Sequence, residues 1–465
     1  MPDITQENFI GQPLNTTQNG SGESSPQVTS SGIVLEVHPN RAALYEELHN
    51  RPYPLVDTPC CVTHIALLVS PEQRQAEYQH LVQLCQRFSI NPPAEGASCF
   101  YQSFGGFELR WESHMEFSTY TFICRSSDPE SFITQPYTGR ALQYVPRDWL
   151  QKLPGQSTAA VHLAMAKGSD TLRSEHLDNA FEKMRLSGSI VAGGKAEVYT
   201  SFRIHSDGFS RVLVQDKGLN SYQAGRLMQR VLEIETYRIM ALLSLPIARK
   251  LSPQVQHTEE ILARLNSNIA SDKDNVNDKN MLAELSNLAA KIEQFRSDTN
   301  YRFGATKAYY DIVNARLDQL HEEEIPGVQT LQEFIGRRLG PGIKTCSAVK
   351  ERMESLSLRI AQTSSLLRTQ VELSIQAQNQ TLLASMDKRS GLQLRMQQTV
   401  EGLSVAAIAY YLMGLLSYVY DAIEQQGFHL DKPTALGVSV PIVVAITWGV
   451  MHKLMGRVKR ESSKK

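Results

Sequence analysis

The rhythm of polar and apolar positions changes three times along this chain. From Met1 to about Gly32 there is no period at all: Ser, Asn, Gln, Thr and Gly dominate, Lys and Arg are absent, and the stretch reads as a disordered tail. From there to Asp216 apolar runs of strand length alternate with helical stretches. The pattern predicts a strand over Val62–Val69, a helix over Pro71–Phe88 with proline at its start, and strands near Ser98–Gln102, Phe107–Trp111 and Phe117–Cys124. A second set follows in the same order: a strand over Ala159–Met165, a helix around Ser174–Met184, and strands near Ser189–Ala192, Ala196–Ile204 and Phe209–Val214. Residues 33–216 therefore read as an α+β domain with a mostly antiparallel sheet, built from two β-α-β-β-β units. Two local echoes favour duplication, Gly105-Gly106 against Gly193-Gly194 and His114 with Phe117-Ser118 against His205 with Phe209-Ser210; glycine pairs are also common punctuation before strands.

After Ser221 the spacing becomes three and four, through Leu227, Met228, Val231, Tyr237, Met240 and Leu243 until Pro246, and residues 217–402 read as helix almost throughout. The polar stretch Ser271–Asn280 breaks a helical hairpin, and Ile325-Pro326-Gly327 and Gly340-Pro341-Gly342 predict two turns around a short helix over Leu331–Leu339. No proline then occurs before Pro433. The stalk from Lys350 can run straight on to Ile423, about 110 Å of helix at about 1.5 Å per residue. Val349, Met353, Leu356, Ile360, Thr363 and Leu367 form a coiled-coil seam along it, and beyond Leu367 that seam fills with Gln, Ser and Ala.

The last rhythm is none but apolar. Leu403–Ile423 carries no charge before Asp421, and Ala435–Met451 carries none, so both match a hydrocarbon core that needs about 20 helical residues and accepts about 17. Residues 403–451 therefore predict a transmembrane hairpin, with Pro441 kinking its second helix. Tyr418 and Tyr420 suit an interfacial belt, while Tyr410 and Tyr411 lie deeper and ask for packed partners. Lys388, Arg389 and Arg395 precede the hairpin and residues 452–465 are a basic tail, whereas the connection offers only Lys432 against Glu424 and Asp431. By the positive-inside rule both termini are expected in the cytoplasm, with the chain multi-pass.

Charge changes little else. Lys+Arg 47 against Asp+Glu 48 leaves no field for nucleic acid, so the expected partners are the lipid bilayer and further copies of the chain. Six cysteines without a CxxC pair fit reduced thiols; adjacent Cys60 and Cys61 are either a redox pair or ordinary strand residues. The N-terminus has neither the basic nor the apolar region of a signal peptide.

Chemistry concentrates in one place. His38, Arg41, Glu47, His49 and Arg51 surround one short helix, with Asn40 as its cap, Leu44, Tyr45 and Leu48 as its apolar face and Pro52 after its end. The two histidines could bind a metal or move protons, with Glu47 orienting one and the arginines holding an anion. Equally, Arg51 could pair with Glu47 at i,i+4 while the histidines satisfy backbone. His114 and His205 are either a pair meeting in a shared pocket or satisfied sheet histidines. No Walker loop, GxSxG elbow, HExxH or EF-hand spacing occurs, no cofactor is indicated, and an enzyme is the least supported class.

The His38-Pro39-x-Arg41 and Glu47-x-His49-x-Arg51-Pro52 segment resembles the opening motif of a bacterial family of uncharacterised membrane-anchored proteins with a domain of unknown function. Arg302-Phe303-Gly304-Ala305 with Tyr309-Tyr310, and Val400-Glu401-Gly402-Leu403 running on to Tyr410-Tyr411, agree with it, so the likeness extends from about Val37 to Arg460. It implies an inner-membrane protein and supplies no catalytic role. In plan the chain is also similar to two-span magnesium channels, yet Tyr418-Val419-Tyr420-Asp421 stands where their Gly-Met-Asn signature belongs. The expected function is an oligomeric scaffold or sensor that couples the soluble domain to the membrane. The alternative is a divalent cation channel or transporter with Asp421, Glu424 and Asp431 as its outer mouth.

Overall fold

Strands form close to where the sequence predicts them; the central strands Cys60–Leu68 and Phe117–Arg125 are buried along nearly their whole length on both faces, whereas Cys99–Ser103 at the edge of the sheet is mostly exposed. The structure is a computed structural model and describes residues 26–28, 34–36, 38–41, 44–45, 53–125, 136–137, 140–168, 174–271, 278–424 and 432–462. Strands β1 (Pro26–Val28) and β2 (Val34–Glu36) pair antiparallel, so regular structure begins within the stretch read as a tail. A nine-stranded sheet follows. Its strands are β3 (Cys60–Leu68), β4 (Cys99–Ser103), β5 (Glu108–Ser113), β6 (Phe117–Arg125), β7 (Gln156–Lys167), β8 (Ser187–Val191), β9 (Ala196–Ile204), β10 (Ser210–Asp216) and β11 (Glu323–Glu324), in the order β11-β8-β9-β10-β7-β3-β6-β5-β4.

That order mirrors the two β-α-β-β-β units about the central β3–β7 pair. Both sequence echoes fall on matching hairpins, with Gly105 and Gly193-Gly194 at the first turn of each meander in the positive-φ region that glycine enters without strain. The strand directions do not match. β6 is antiparallel to β3, whereas β10 is parallel to β7, the one parallel pair of strands in the sheet among the described residues. The same element order is thus laid down with opposite polarity, and no simple two-fold relates the halves.

Helix α1 (Arg74–Arg87), the short α2 (Arg140–Gln143) and α3 (Arg147–Leu150), and α4 (Ser174–Ala180) cover one face of the sheet. Leu81, Leu84, Trp149, Leu109 and Phe122 form the core there beside β3, β5 and β6, and Phe181 with Tyr199 and Leu213 continues it under α4. Buried Glu77 of α1 accepts from Trp111 Nε1 (3.1 Å), Ser118 Oγ (3.0 Å) and Tyr120 OH (3.1 Å), so its charge is satisfied structurally. Cys60 and Cys61 face opposite sides of the sheet, Cys60 in one core and Cys61 in the other, which excludes the redox pair.

The other face is covered by α5 (Ser221–Leu242), capped by Asn220, together with parts of α7 (Asp278–Leu320) and α8 (Leu331–Glu424). Between them runs α6 (Leu245–Ser271), in which Pro246 occupies a starting position. The Gly340-Pro341-Gly342 turn does not form: α8 continues through it as one helix of 94 residues. Leu339 and Ile343 on either side are anchored in the core, and a Cβ on Gly342 would lie 3.3 Å from Leu242 and Leu245. Packing on both flanks therefore outweighs the hydrogen bond that proline removes.

The chain divides into two compact units, residues 1–261 with 288–358, and residues 262–287 with 359–465. The predicted seam is buried in each. In the first, Val349, Met353 and Leu356 are buried and Arg352 holds Glu259 through two nitrogens (2.7 and 3.2 Å). In the second, Ile360, Thr363 and Leu367 are buried, with Thr363 donating to Asn266 (3.0 Å). This chain's own helices fill the seam, so these positions are not left over for another copy. Beyond Leu367, α8 exposes Leu373, Leu382, Leu383 and Met386. The C-terminal helix α9 (Lys432–Ser462) lies beside the end of α8, where Tyr420 OH and Ser439 Oγ are 3.0 Å apart and Ala409, Val443 and Thr447 are buried.

Candidate functional site

On the sheet face under α5, Val161, Leu163 and Met165 of β7, Ala196 and Val198 of β9, and Val212 and Val214 of β10 form an apolar core, with buried Ser210 at its margin bonded to Glu235 of α5 (3.1 Å). On the adjoining strands β3, β6 and β5 the same face turns polar. His64 of β3, Arg110 and Glu112 of β5, and Thr119 and Thr121 of β6 all project to it, because positions two apart on a strand share a face and Arg110–Thr121, Glu112–Thr119 and His64–Thr121 are cross-strand partners. These side chains floor a cavity of about 280 Å³. Its other walls are Met228, Gln229, Leu232, Glu233, Thr236 and Tyr237 of α5; Arg316 of α7, Tyr53 and the His114–Phe117 turn complete it.

Polar bonds organise this floor. His64 is 5 % exposed, and its Nδ1 and Nε2 lie 2.8 Å from Thr121 Oγ1 and 2.9 Å from Thr236 Oγ1. Burial lowers its pKa to about 3, with His114 and Arg110 adding to the effect, so the imidazole is neutral at physiological pH. A neutral ring has one N–H and one lone pair, so one threonine accepts and the other donates. Arg110, 3 % exposed, donates to Glu112 Oε1 (3.0 Å) and to Gln229 Oε1 (2.7 Å), and its Nε finds no partner among the described residues. Gln229 passes the chain on, donating to Glu233 Oε1 (2.8 Å), and Glu233 Oε2 accepts from Arg316 Nε. Arg316 in turn donates to Gln319 (3.1 Å).

The wall beside His114 is tied to α7. Tyr237 stacks on Tyr309 with ring centroids 5.4 Å apart, and Phe117 meets both rings edge-on. Tyr309 OH donates to Glu116 Oε1 (2.7 Å), and Arg302 holds the same carboxylate (2.7 and 3.0 Å). Burial, with the contact to Glu116 adding to it, pushes the Tyr309 pKa above the usual phenol range. Arg302 and Tyr309 of the Arg-Phe-Gly-Ala and Tyr-Tyr motif thus fasten α7 to the turn that borders the cavity.

Of the residues singled out from sequence, His114 lines the cavity, and His38, Arg41, His205 and Asp421 do not. His38 and Arg41 are exposed; the His38 ring accepts from the Asn40 amide (3.1 Å) and Arg41 lies over Tyr45 at 5.8 Å, so His38 satisfies backbone at a helix start. Leu44 and Tyr45, expected to form an apolar face, are exposed. Glu47, His49 and Arg51 lie outside the described residues, and Tyr53, which lines the cavity, follows them. Asp421 is half-buried near the end of α8, Glu424 ends that helix, and Asp431 is outside the described residues. His114 and His205 do not share a pocket. His205 belongs to a buried group near Phe181, with Ser201 Oγ 2.8 Å from Nε2 and Glu182 3.4 Å from Nδ1. That order of groups suits a nucleophile, base and acid, yet Ser201 and His205 are buried, Ser201 Oγ accepts from the Arg203 amide (3.3 Å), and neither lines the cavity. Among the described residues no group of three or more His, Cys, Asp or Glu could hold a metal ion.

Residues 36–458 match the model of a family described as a protein of unknown function (DUF3422). The chain belongs to that family. No curated protein matches it. The DUF3422 span takes in the cavity, the Arg302–Tyr310 motif and both apolar C-terminal stretches, which are long and apolar enough to cross a membrane. Leu403, Tyr410, Tyr411, Leu415 and Tyr418 are 62–78 % exposed, as are Ile446 at 59 % and Trp448 at 63 %. A water-soluble surface rarely carries so much contiguous apolar area.

Proposed function

We propose that this DUF3422 protein is a membrane-anchored sensor. The α8–α9 hairpin spans the inner membrane with both termini in the cytoplasm, and the cavity between the sheet and α5 binds a small polar ligand. The carrying observation is the polar cavity itself, a Glu112–Arg110–Gln229–Glu233–Arg316 network set beside the apolar cluster that β7, β9 and β10 form under the same helix. Burying charged groups costs several kcal/mol where a well-packed apolar core would serve, which favours a role in binding over a role in stability. The exposed apolar residues of the two C-terminal helices support the anchor. The unfilled apolar positions of α8 beyond Leu367 support self-association there, below the seam that the chain's own helices fill.

Fractionation tests the anchor: the full chain should resist alkaline carbonate extraction, and a chain ending at Gly402 should be released. Extraction of the full chain would remove the membrane assignment. Chemical crosslinking in membranes should trap a defined oligomer, and a strictly monomeric species would refute self-association. Divalent cation flux through reconstituted liposomes, abolished in Asp421→Asn and Asp431→Asn, would replace the sensor by a two-span channel.

A further inference from the structure

The cavity network ends in opposite charges. Arg110 spends Nη1 on Gln229 and Nη2 on Glu112, Gln229 spends both amide atoms, and Glu233 spends both oxygens. Among the described residues Glu112 commits only Oε1, and Arg316 commits only Nε and Nη1. A carboxylate oxygen therefore stands open on the sheet wall, on β5, and a guanidinium nitrogen on the helix wall, on α7. Both side chains are largely shielded, at 13 % and 28 % exposure. Two arginines balance two glutamates and His64 is neutral, so these five side chains have no net charge to attract a simple anion or cation. Phe117, Leu232, Met228 and Tyr237 add apolar wall between the charged ends.

We infer that the cavity takes a small zwitterion of the α-amino acid type, its ammonium on Glu112, its carboxylate on Arg316 and its carbon chain on Phe117 and Leu232. This rests on the reading of the cavity as a ligand site. A carboxylate alone would leave the open oxygen of Glu112 desolvated without a donor, and an amine alone would leave the open nitrogen of Arg316 without an acceptor. A polyol matches both ends only with neutral hydrogen bonds, which are about half as strong as charge-assisted ones. The volume lies near the lower limit of the range of roughly 300–1,000 Å³ for ligand pockets, which suits an amino acid and excludes a nucleotide.

The test is calorimetric titration of the full chain in mild detergent. The probes are the standard amino acids, isocaproate and isoamylamine as leucine lacking one charged group each, inorganic phosphate, and sorbitol. At least one amino acid should bind, and the isocaproate and isoamylamine affinities should be lower than that of leucine. Glu112→Gln and Arg316→Gln should each weaken the amino acid by roughly ten- to a hundredfold, the loss of one charge-assisted contact. Because Arg316→Gln also strips Glu233 of its cationic partner, the pair Glu233→Gln with Arg316→Gln keeps that wall neutral and should show the same loss at an unchanged melting temperature. Binding of isocaproate, phosphate or sorbitol with no amino acid binding would overturn the zwitterion and leave the cavity a ligand site. Silence from every probe would overturn both.

Discussion

Replacing Gly225 with alanine separates a glycine that a helix merely tolerates from one that the fold requires. Gly225 lies inside α5, and a Cβ built on it falls 1.8 Å from the carbonyl oxygen of Pro54 and 3.0 Å from its carbonyl carbon. The segment from Tyr53 to Val56 therefore crosses directly over the bare backbone of α5, where the Val56 amide donates to Ser221 O (3.2 Å) and Val56 is buried. Alanine inside a helix normally gains about 0.5–1 kcal/mol over glycine. Here the Pro54 carbonyl must retreat by roughly 1.5 Å to reach van der Waals distance. Overpacking costs about 1–3 kcal/mol and the lost Val56 hydrogen bond about 0.5–1.5 kcal/mol, so a net loss of about 2 kcal/mol remains after the propensity gain. Gly336 in α8 has nothing within 4 Å of its Cβ and serves as the control. Thermal melting in detergent should place Gly336→Ala at or above the parent and Gly225→Ala well below it. Hydrogen exchange at the Val56 amide should accelerate only in Gly225→Ala. Equal melting of the two variants with an unchanged Val56 amide would refute the close crossing, and with it the wall that Tyr53 gives the cavity.

Three further outcomes follow from the same contacts. Burial depresses the pKa of His64 to about 3 and of His162 to about 4, from 6.5, so the unfolded chain takes up protons first as pH falls. The stability these residues contribute is complete above pH 6.5 and declines below it, at up to about 1.4 kcal/mol per pH unit for each histidine. Urea unfolding at pH 7 and pH 5 should show that decline, reduced in His64→Gln. Arg302→Ala leaves the largely buried Glu116 carboxylate with Tyr309 alone, at a cost of about 2 kcal/mol, and adding Glu116→Gln should recover part of it; a double-mutant cycle on melting temperature reads the coupling. Tyr309→Phe keeps the ring on Tyr237 but loses the bond to Glu116, so it should weaken an amino acid ligand severalfold in the same titration without removing any group that lines the cavity. Unchanged affinity would separate the α7 tie from the site.

Strands and helices were legible because their periods are backed by burial on known faces: Ala196–Ile204 was expected at the residues where β9 lies, and the seam from Val349 to Leu367 is buried at all six positions. The turn at Gly340-Pro341-Gly342 failed because local preference was weighed without the core contacts of Leu339 and Ile343, which no window around the proline contains. Strand polarity was also out of reach, since β-α-β-β-β specifies the order of elements and not which way the meander is laid beside β3 or β7. The cavity was missed because its residues come from β3, β5, β6, α5 and α7. One signal was present. Arg110-x-Glu112 and Thr119-x-Thr121 put charge and hydroxyls on one face of adjacent strands whose opposite face, with Leu109, Trp111, Tyr120 and Phe122, is wholly core. Clustering of histidines and arginines along the chain pointed to His38–Arg51, of which His38 and Arg41 are exposed and Glu47, His49 and Arg51 lie outside the described residues.

Where a ligand sits decides whether binding can be felt beyond the site. A ligand shifts a conformational equilibrium only through contacts that differ between states. Every cavity group on β3, β5 and β6 is fixed by ladder hydrogen bonds, so a ligand held by the sheet alone would find the same partners in any state. Arg316 is different, because it reaches the cavity from α7, and two side-chain ties hold that helix near the same wall: Arg302 and Tyr309 on Glu116, and Tyr309 on Tyr237. A zwitterion spanning Glu112 and Arg316 adds a tie between sheet and helix that exists only at the bound spacing. Strengthening of α7 on the sheet is therefore the change that binding can drive. The motif residues Arg302 and Tyr309 would set how much of that spacing is already populated before the ligand arrives.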